Sequence, residues 1–268
     1  MKHCPNEQRD QSARDASVRA QRRCAGRPLG THLALATFAA LALGSPGEVL
    51  AYRPFGSTDA DVAAADEIEL ELGYLTIERD AGETAYITPS VIFNYGLTDT
   101  LELVGEFELE KPADGSWEVA DPGLFLKWLV AEGALQDQPG VSVAIEAGAL
   151  LPLSDDNENN LGAEAILIAS TQLAPLTYHL NLGGGLDRSG EEFWLWGVIG
   201  EAPVSRTLTL AAEVEGEEPR AGEPVRTALL GARFEPDGSP VVFDIGVRRG
   251  LTGGAPDWSL TLGLTAAF

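Results

Sequence analysis

Cysteine is almost absent from this sequence, and its two cysteines, Cys4 and Cys24, both lie near the start. Beyond residue 51 the chain therefore has no disulfide framework and no thiol chemistry. The same stretch has a single histidine, His179, which leaves no ligand set for a transition metal. We expect neither a metal nor another cofactor in the folded protein.

Long apolar runs are also missing. The clearest one, Leu33–Leu43, is too short to cross a bilayer as a helix, which takes about 20 residues. It follows an arginine-rich stretch and precedes the small-residue site Val49–Ala51. This order is typical of a secretory signal peptide. We predict a leader over residues 1–51, cleaved near Ala51, and a single mature domain over residues 52–268.

Basic residues are scarce. The chain has 18 lysines and arginines against 41 aspartates and glutamates, a formal net charge of −23. Seven of those basic residues lie in the predicted leader, so the mature domain has an even larger excess of acids. Such a charge argues against nucleic acid as a partner. It leaves two interpretations open, a solvated acidic surface and the acidic wall of a pore.

What the sequence does contain is strict alternation of apolar and small or polar residues. In Asp257–Phe268, one side of an extended strand would carry Trp258, Leu260 and Leu262, continuing to the C-terminal Phe268. About 10 alternating residues suit a transmembrane β-strand. A terminal phenylalanine is similar to the last strand of bacterial outer-membrane barrels, where it is an assembly signal. The alternative is an edge strand of a soluble sandwich.

Similar alternating segments, separated by clusters of turn residues, repeat along the mature chain. They lie near residues 67–79, 84–97, 99–111, 121–132, 140–153, 161–173, 175–188, 191–202, 205–217, 224–235, 240–250 and 257–268. Tight joins at Gly96–Asp99 and Ala174–Pro175 alternate with longer polar ones at 112–120, 154–160 and 217–223. We predict an all-β fold, a closed antiparallel transmembrane β-barrel of about 12 strands. The turn-rich stretch Tyr52–Asp66 is interpreted as a periplasmic lead-in.

The direction of the charged side chains follows from the same alternation. If the apolar face meets lipid, carboxylates on the other face must point into the lumen, because a charged side chain that faces lipid destabilises the barrel by several kcal/mol. This predicts a lumen lining that consists of Glu102, Glu106, Glu108, Lys127, Glu146, Glu164, His179, Glu213, Glu215, Arg226, Asp244 and Arg248. These groups either line an open, cation-favouring pore or pair with each other in a filled lumen.

Catalysis has little support in the sequence. A hydrolase would need a serine nucleophile beside His179, and Ser170 and Ser259 carry no motif. The acidic loop Asp155–Asn160 could offer oxygen ligands to calcium, but it lacks the spacing of the helical calcium loop. We expect no enzymatic activity.

Several stretches resemble the outer-membrane barrels named after the meta-cleavage pathway of phenol degradation, the MetA-pathway transporters. They are RPFGSTDA at 53–60, TPSVIFNYGLTDTLEL at 88–103, DPGLFLKW at 121–128, LPLSDD at 151–156, YHLNLGGG at 178–185, LLGARFE at 229–235 and DIGVRRGLTGGAPDW at 244–258. Each motif is weak alone, and their common order is the specific part. The resemblance implies an outer-membrane barrel that conducts small hydrophobic or aromatic compounds.

The function expected from the sequence is passive passage of small solutes across the outer membrane of a Gram-negative cell. A non-conducting structural barrel is the alternative, and an outer-membrane hydrolase is a more remote one. The expected partners are outer-membrane lipid, a small-molecule solute, and the barrel-assembly machinery through the strand that ends at Phe268.

Overall fold

A computed structural model describes residues 52–113, 115–153 and 159–268. The predicted leader, residues 1–51, and most of the acidic loop at 154–160 lie outside these described residues. Within them, no helix is both long enough and apolar enough to cross a membrane.

The described chain forms a closed barrel of twelve antiparallel strands, each paired with its neighbours in sequence. The predicted fold class is confirmed. The strands are β1 (Ile68–Asp80), β2 (Glu83–Thr98), β3 (Leu101–Lys111), β4 (Glu118–Ala131), β5 (Ser142–Leu150), β6 (Gly162–Leu173), β7 (Leu176–Leu186), β8 (Glu192–Pro203), β9 (Leu208–Pro219), β10 (Val225–Phe234), β11 (Val241–Gly250) and β12 (Trp258–Ala267).

The barrel closes between its first and last strands. Leu72 of β1 lies opposite Leu264 of β12, and Thr76 lies opposite Thr261. At the end of this seam Phe268 donates to the carbonyl of Ile68 at 2.8 Å and accepts from its amide at 3.2 Å. Closure gives the backbone donors and acceptors of every strand a partner on both sides, so no sheet edge remains.

The predicted alternation of faces is visible in β4. Its residues Leu124, Leu126 and Trp128 are about half exposed, whereas Phe125 and Lys127 between them are 4% and 1% exposed. The same pattern gives the barrel an outer surface with many exposed apolar side chains and an inner face that is largely polar. Period-2 geometry accounts for this separation, because successive side chains of a strand point to opposite faces.

The loops differ between the two ends of the barrel. The termini end, where β1 begins and β12 ends, carries the tight joins at 99–100 and 174–175, and the far end carries the longer connections from β3 to β4, from β5 to β6 and from β9 to β10. There are three exceptions. The loop at 235–240, longer than the connection between β9 and β10, lies at the termini end. A two-residue turn at Ala81–Gly82, both with positive φ, lies at the far end. A longer loop at 132–141, with a short 3-10 helix at Ala134–Gln136, lies at the termini end.

The position of the stretch before β1 differs from our expectation. We interpreted Tyr52–Asp66 as a periplasmic lead-in, but residues 52–63 lie inside the barrel and bond to side chains of its inner face. We call residues 52–63 the lumen segment. Its backbone donors find acceptors on the polar inner wall, which is the physical reason that a strand-free stretch is held there.

Candidate functional site

The lumen segment is held on one side by Glu213 of β9. The Glu213 carboxylate, whose side chain is fully buried, accepts backbone hydrogen bonds from Gly56 at 3.0 Å and Ser57 at 2.8 Å. Arg248 of β11 donates to the same carboxylate at 3.0 Å and also forms an ion pair with Glu215. Glu213 therefore connects the segment to the wall through charge-assisted hydrogen bonds, which are stronger than neutral ones.

Arg53 connects the segment to another part of the wall, around the closing seam. Its backbone amide donates to Glu71 at 3.2 Å, and its guanidinium donates to Ser90 at 3.0 Å and to Thr261 at 2.7 Å. Arg53 also forms an ion pair with Asp244 at 3.5 Å, with an Asp244 side chain that is 1% exposed. One arginine of the segment thus contacts strands β1, β2, β11 and β12.

Lys127 of β4 forms a third attachment. Its Nζ donates to the Tyr52 hydroxyl at 2.6 Å and to Thr58 at 3.3 Å, and lies 3.8 Å from Asp59. The Tyr52 hydroxyl in turn donates to the carbonyl of Asp61 at 2.9 Å. Burial and the Asp59 carboxylate raise the pKa of the Tyr52 phenol well above its usual value, so it keeps the proton that it donates.

At the termini end, the lumen segment forms polar contacts with the loop at 132–141 and with β3. Gln136 donates to the Asp61 carboxylate at 2.9 Å, and the backbone amide of Ala63 donates to Glu102 of β3. Burial raises the pKa of the Asp61 carboxyl, and the nearby Asp59 carboxylate raises it further. The loop and the segment together occupy the lumen near the barrel termini.

His179 has a serine neighbour in the structure. His179 Nδ1 and Ser170 Oγ are 2.8 Å apart, and Ser170 also accepts a hydrogen bond from the backbone amide of Ala60. Ser170 is fully buried and His179 is 4% exposed. A nucleophile needs access to its substrate, and the lumen segment covers this one. The pair thus fits an anchoring role, alongside Asn181, which exchanges hydrogen bonds with Thr58.

A cavity of about 660 Å³ lies between the lumen segment and the far end of the barrel. Residues 52 and 56–58 form part of its lining, and it extends to Leu150, Asp187 and Arg188 at the far end. Its volume lies within the range of small-molecule sites, about 300–1,000 Å³. The carboxylates among its lining residues are Glu102, Glu106, Asp121, Glu146, Glu164, Asp187, Glu215 and Glu217.

The structure brings most of the predicted lumen residues to this inner face. Glu102, Glu106, Lys127, Glu146, Glu164 and Glu215 line the cavity. His179, Glu213, Asp244 and Arg248 lie beside the lumen segment or its anchors. Glu108 lies in register with Ser90, the serine that Arg53 contacts.

Arg226 is the exception, and its predicted place in the lumen is wrong. It lies one residue before Thr227, which bonds to Glu215 on the inner face, so Arg226 belongs to the opposite face. There it forms hydrogen bonds of 2.6 and 2.9 Å with Glu218, which also accepts from Trp196. The physical reason is that β10 carries leucines on both faces, at Leu229 and Leu230, so the alternation in its sequence does not show which face points into the lumen.

Sequence reasoning missed the residues that hold the segment in place. Arg53, Ser170, Asn181 and Asn94 were not among the predicted lumen residues, although alternation puts the last three on polar faces. Asn94, for example, donates to the Glu71 carboxylate that also accepts from Arg53. Arg53 begins the stretch RPFGSTDA, but that motif does not indicate a place in the lumen, and only the contacts of Arg53 in the closed barrel show its role.

The fold of this barrel is similar to that of solved outer-membrane channels. The COG4313 outer membrane channel from Pseudomonas putida F1 superposes with a TM-score of 0.59 at 13% identity, covering 84% of this chain and 100% of the channel. This chain shares its fold. The NanC porin gives a TM-score of 0.54 at 10% identity, over 74% of this chain and 98% of the porin. No protein-family model matches the sequence, and no curated protein matches it.

Replacing Arg248 by methionine is expected to destabilise the barrel by about 3–5 kcal/mol, because the buried Glu213 carboxylate would lose its cationic partner. The matched control is Arg249→Met at the next position, whose side chain is 64% exposed on the other face. That change should stay within about 0.5 kcal/mol. Denaturant unfolding in detergent measures both values, and equal effects would contradict the role given to Arg248.

Proposed function

We propose that this protein is an outer-membrane channel for small solutes, in which the lumen segment restricts passage. The observation that carries the proposal is the carboxylate-lined cavity inside a closed barrel with an apolar outer surface. The fold likeness to two outer-membrane channels supports it. The proposal includes removal of residues 1–51 near Ala51, so that the mature chain begins at the segment.

The wall charge supports passage of cations and dipolar solutes over anions. Among the described residues two cations line the cavity, and one of them, Lys127, already contacts Tyr52, Thr58 and Asp59. Arg188 donates to two backbone carbonyls and to Asp121. The remaining carboxylates leave a negative field in the cavity, which raises the local concentration of cations.

The resemblance to MetA-pathway transporters supports a finer version, in which small hydrophobic or aromatic compounds pass. The apolar part of the cavity lining, which includes Phe125, Ile166 and Phe193, is compatible with an apolar solute body. Binding of the assembly machinery to the strand that ends at Phe268 remains part of the proposal, supported by the position of that strand at the closing seam.

A second candidate, a structural barrel that conducts nothing, is favoured by the lumen segment itself. The segment contacts β1, β2, β3, β4, β6, β7, β9, β11 and β12, and so reaches most of the circumference. A solute could pass only beside the segment or after its displacement. The two candidates differ in whether the purified barrel carries current.

Ion conductance distinguishes them. The protein, expressed with its own leader and purified from the outer membrane, is added to a planar bilayer under a potassium chloride gradient. We expect discrete, cation-selective steps, and a smaller reversal potential for Glu106→Gln, because that change removes a carboxylate from the cavity wall.

Glu235→Gln, an exposed residue just after β10, is the matched control and should leave the reversal potential unchanged. A folded barrel that gives no steps would contradict the channel and favour the structural barrel. Anion-selective steps would contradict the proposal that the acidic wall favours cations.

A further inference from the structure

The cavity contains three carboxylates that no cation of the described residues neutralises by direct contact. Glu106, Glu146 and Glu164 all line it, and none of them takes part in any of the ion pairs among those residues. Glu146 lies in register with Lys127, yet the Lys127 ammonium is directed to Tyr52 and Thr58. Three such groups in one cavity repel each other, and a bound cation would relieve that repulsion.

Glu102 gives a second, independent observation. It lines the same cavity and is 1% exposed, and its Oε2 accepts from the Ala63 amide. Its Oε1 is buried and has no hydrogen-bond partner. A buried, unpartnered carboxylate oxygen is costly, so its place in the cavity wall points to a donor supplied by a ligand.

The rest of the lining decides what kind of cation fits. Phe125, Phe193 and Ile166 give the cavity an apolar side beside its carboxylates. Among the described residues no group of three or more acidic, histidine or cysteine side chains has the geometry to hold a metal ion. An apolar surface next to separated carboxylates suits a cation with an apolar body, whereas a bare metal ion needs converging oxygen ligands.

We propose that this cavity binds small organic ammonium ions, with the ammonium group beside Glu106, Glu146 and Glu164, Glu102 at the edge of the site, and the apolar body against Phe125 and Phe193. The inference rests on the proposed channel function and names its solute class. The ammonium donates to carboxylate oxygens that lack partners, while the aromatic faces offer both apolar contact and attraction to positive charge.

Binding of benzylammonium to the purified full-length protein, measured by calorimetry in detergent at low salt, tests the site. Benzyl alcohol is the neutral probe of similar shape. We expect benzylammonium to bind at least about tenfold more tightly than the alcohol, and Glu106→Gln/Glu146→Gln/Glu164→Gln to remove that preference, because each hydrogen bond to a charged group accounts for about tenfold or more.

Glutamine keeps the shape of glutamate, and the single variant Glu146→Gln serves if the triple variant fails to fold. Glu235→Gln is the control and should bind as the parent does. Equal binding of the two probes, or a triple variant that binds benzylammonium as before, would overturn the inference. If the barrel binds benzylammonium but carries no current, the binding site stands and the proposed channel function is wrong. If it carries cation-selective current but does not bind benzylammonium, the channel function stands and the binding site is wrong.

Discussion

Deletion of residues 52–60 is expected to turn small or brief current steps into large and steady ones. The segment fills the part of the lumen between Glu213, Lys127 and the closing seam, so its loss widens the path from the cavity past the loop at 132–141 to the termini end. A barrel of twelve strands is wider than the eight-stranded barrels that side chains fill, and it leaves room for such a path. Single-channel recording in a planar bilayer measures the change.

The milder variant Arg53→Ala keeps the segment but removes its contacts with Ser90, Thr261 and Asp244. It should give an intermediate conductance, with more frequent open events than the parent protein. Heat-modifiable migration on a gel confirms that both variants fold. A folded deletion variant with the conductance of the parent would show that the segment does not limit the current.

Replacing Leu126 by arginine is expected to destabilise the barrel in lipid vesicles by about 2–4 kcal/mol. Leu126 lies near the middle of β4 on the outer face and is 47% exposed. In a membrane that position faces hydrocarbon, where a guanidinium loses its hydration. Reversible denaturant unfolding in vesicles measures the free energy of unfolding.

Val119→Arg is the matched control on the same strand and the same face. Val119 is 50% exposed and lies seven residues from Leu126, toward the far end. The two share the outer face because the register with β3 shifts between Ala120 and Gly123, which offsets the alternation by one residue. Seven residues span about 23 Å of strand, which brings position 119 to the edge of the apolar band. Its replacement should cost about 0–1 kcal/mol. Equal costs at the two positions would contradict a barrel that spans a membrane.

Period-2 alternation was enough to predict the strands. In β4 the sequence alternates Leu124, Phe125, Leu126 and Lys127, and the structure separates these residues between the outer and inner faces. The inner face can hold both apolar and charged groups, whereas the outer face shows mainly apolar ones. Where both faces carry similar residues, as at Leu229 and Leu230, alternation could not decide, and Arg226 was misplaced.

The lumen segment could not be predicted, for a different reason. Its attachments use backbone amides, such as those of Gly56 and Ser57, and backbone donors leave no trace in the residue pattern. Their acceptor, Glu213, lies more than 150 residues away along the chain. Only closure of the barrel brings the two together.

The central claim is that the lumen segment controls passage through the barrel, and a reversible lock tests it most directly. Ser57 packs against Gly197 of β8, where a Cβ at Gly197 would lie 2.9 Å from the Cβ of Ser57. Disulfides join Cβ atoms about 3.8 Å apart, so a small shift would let cysteines at the two positions bond. The predicted mature chain has no other cysteine.

Current through the double variant Ser57→Cys/Gly197→Cys is recorded in one membrane before and after addition of a reductant, with the parent protein as control. We predict that the oxidised barrel stays closed, that reduction restores the steps of the parent, and that the parent does not respond to the reductant. The same current in the oxidised and reduced states would contradict control by the lumen segment.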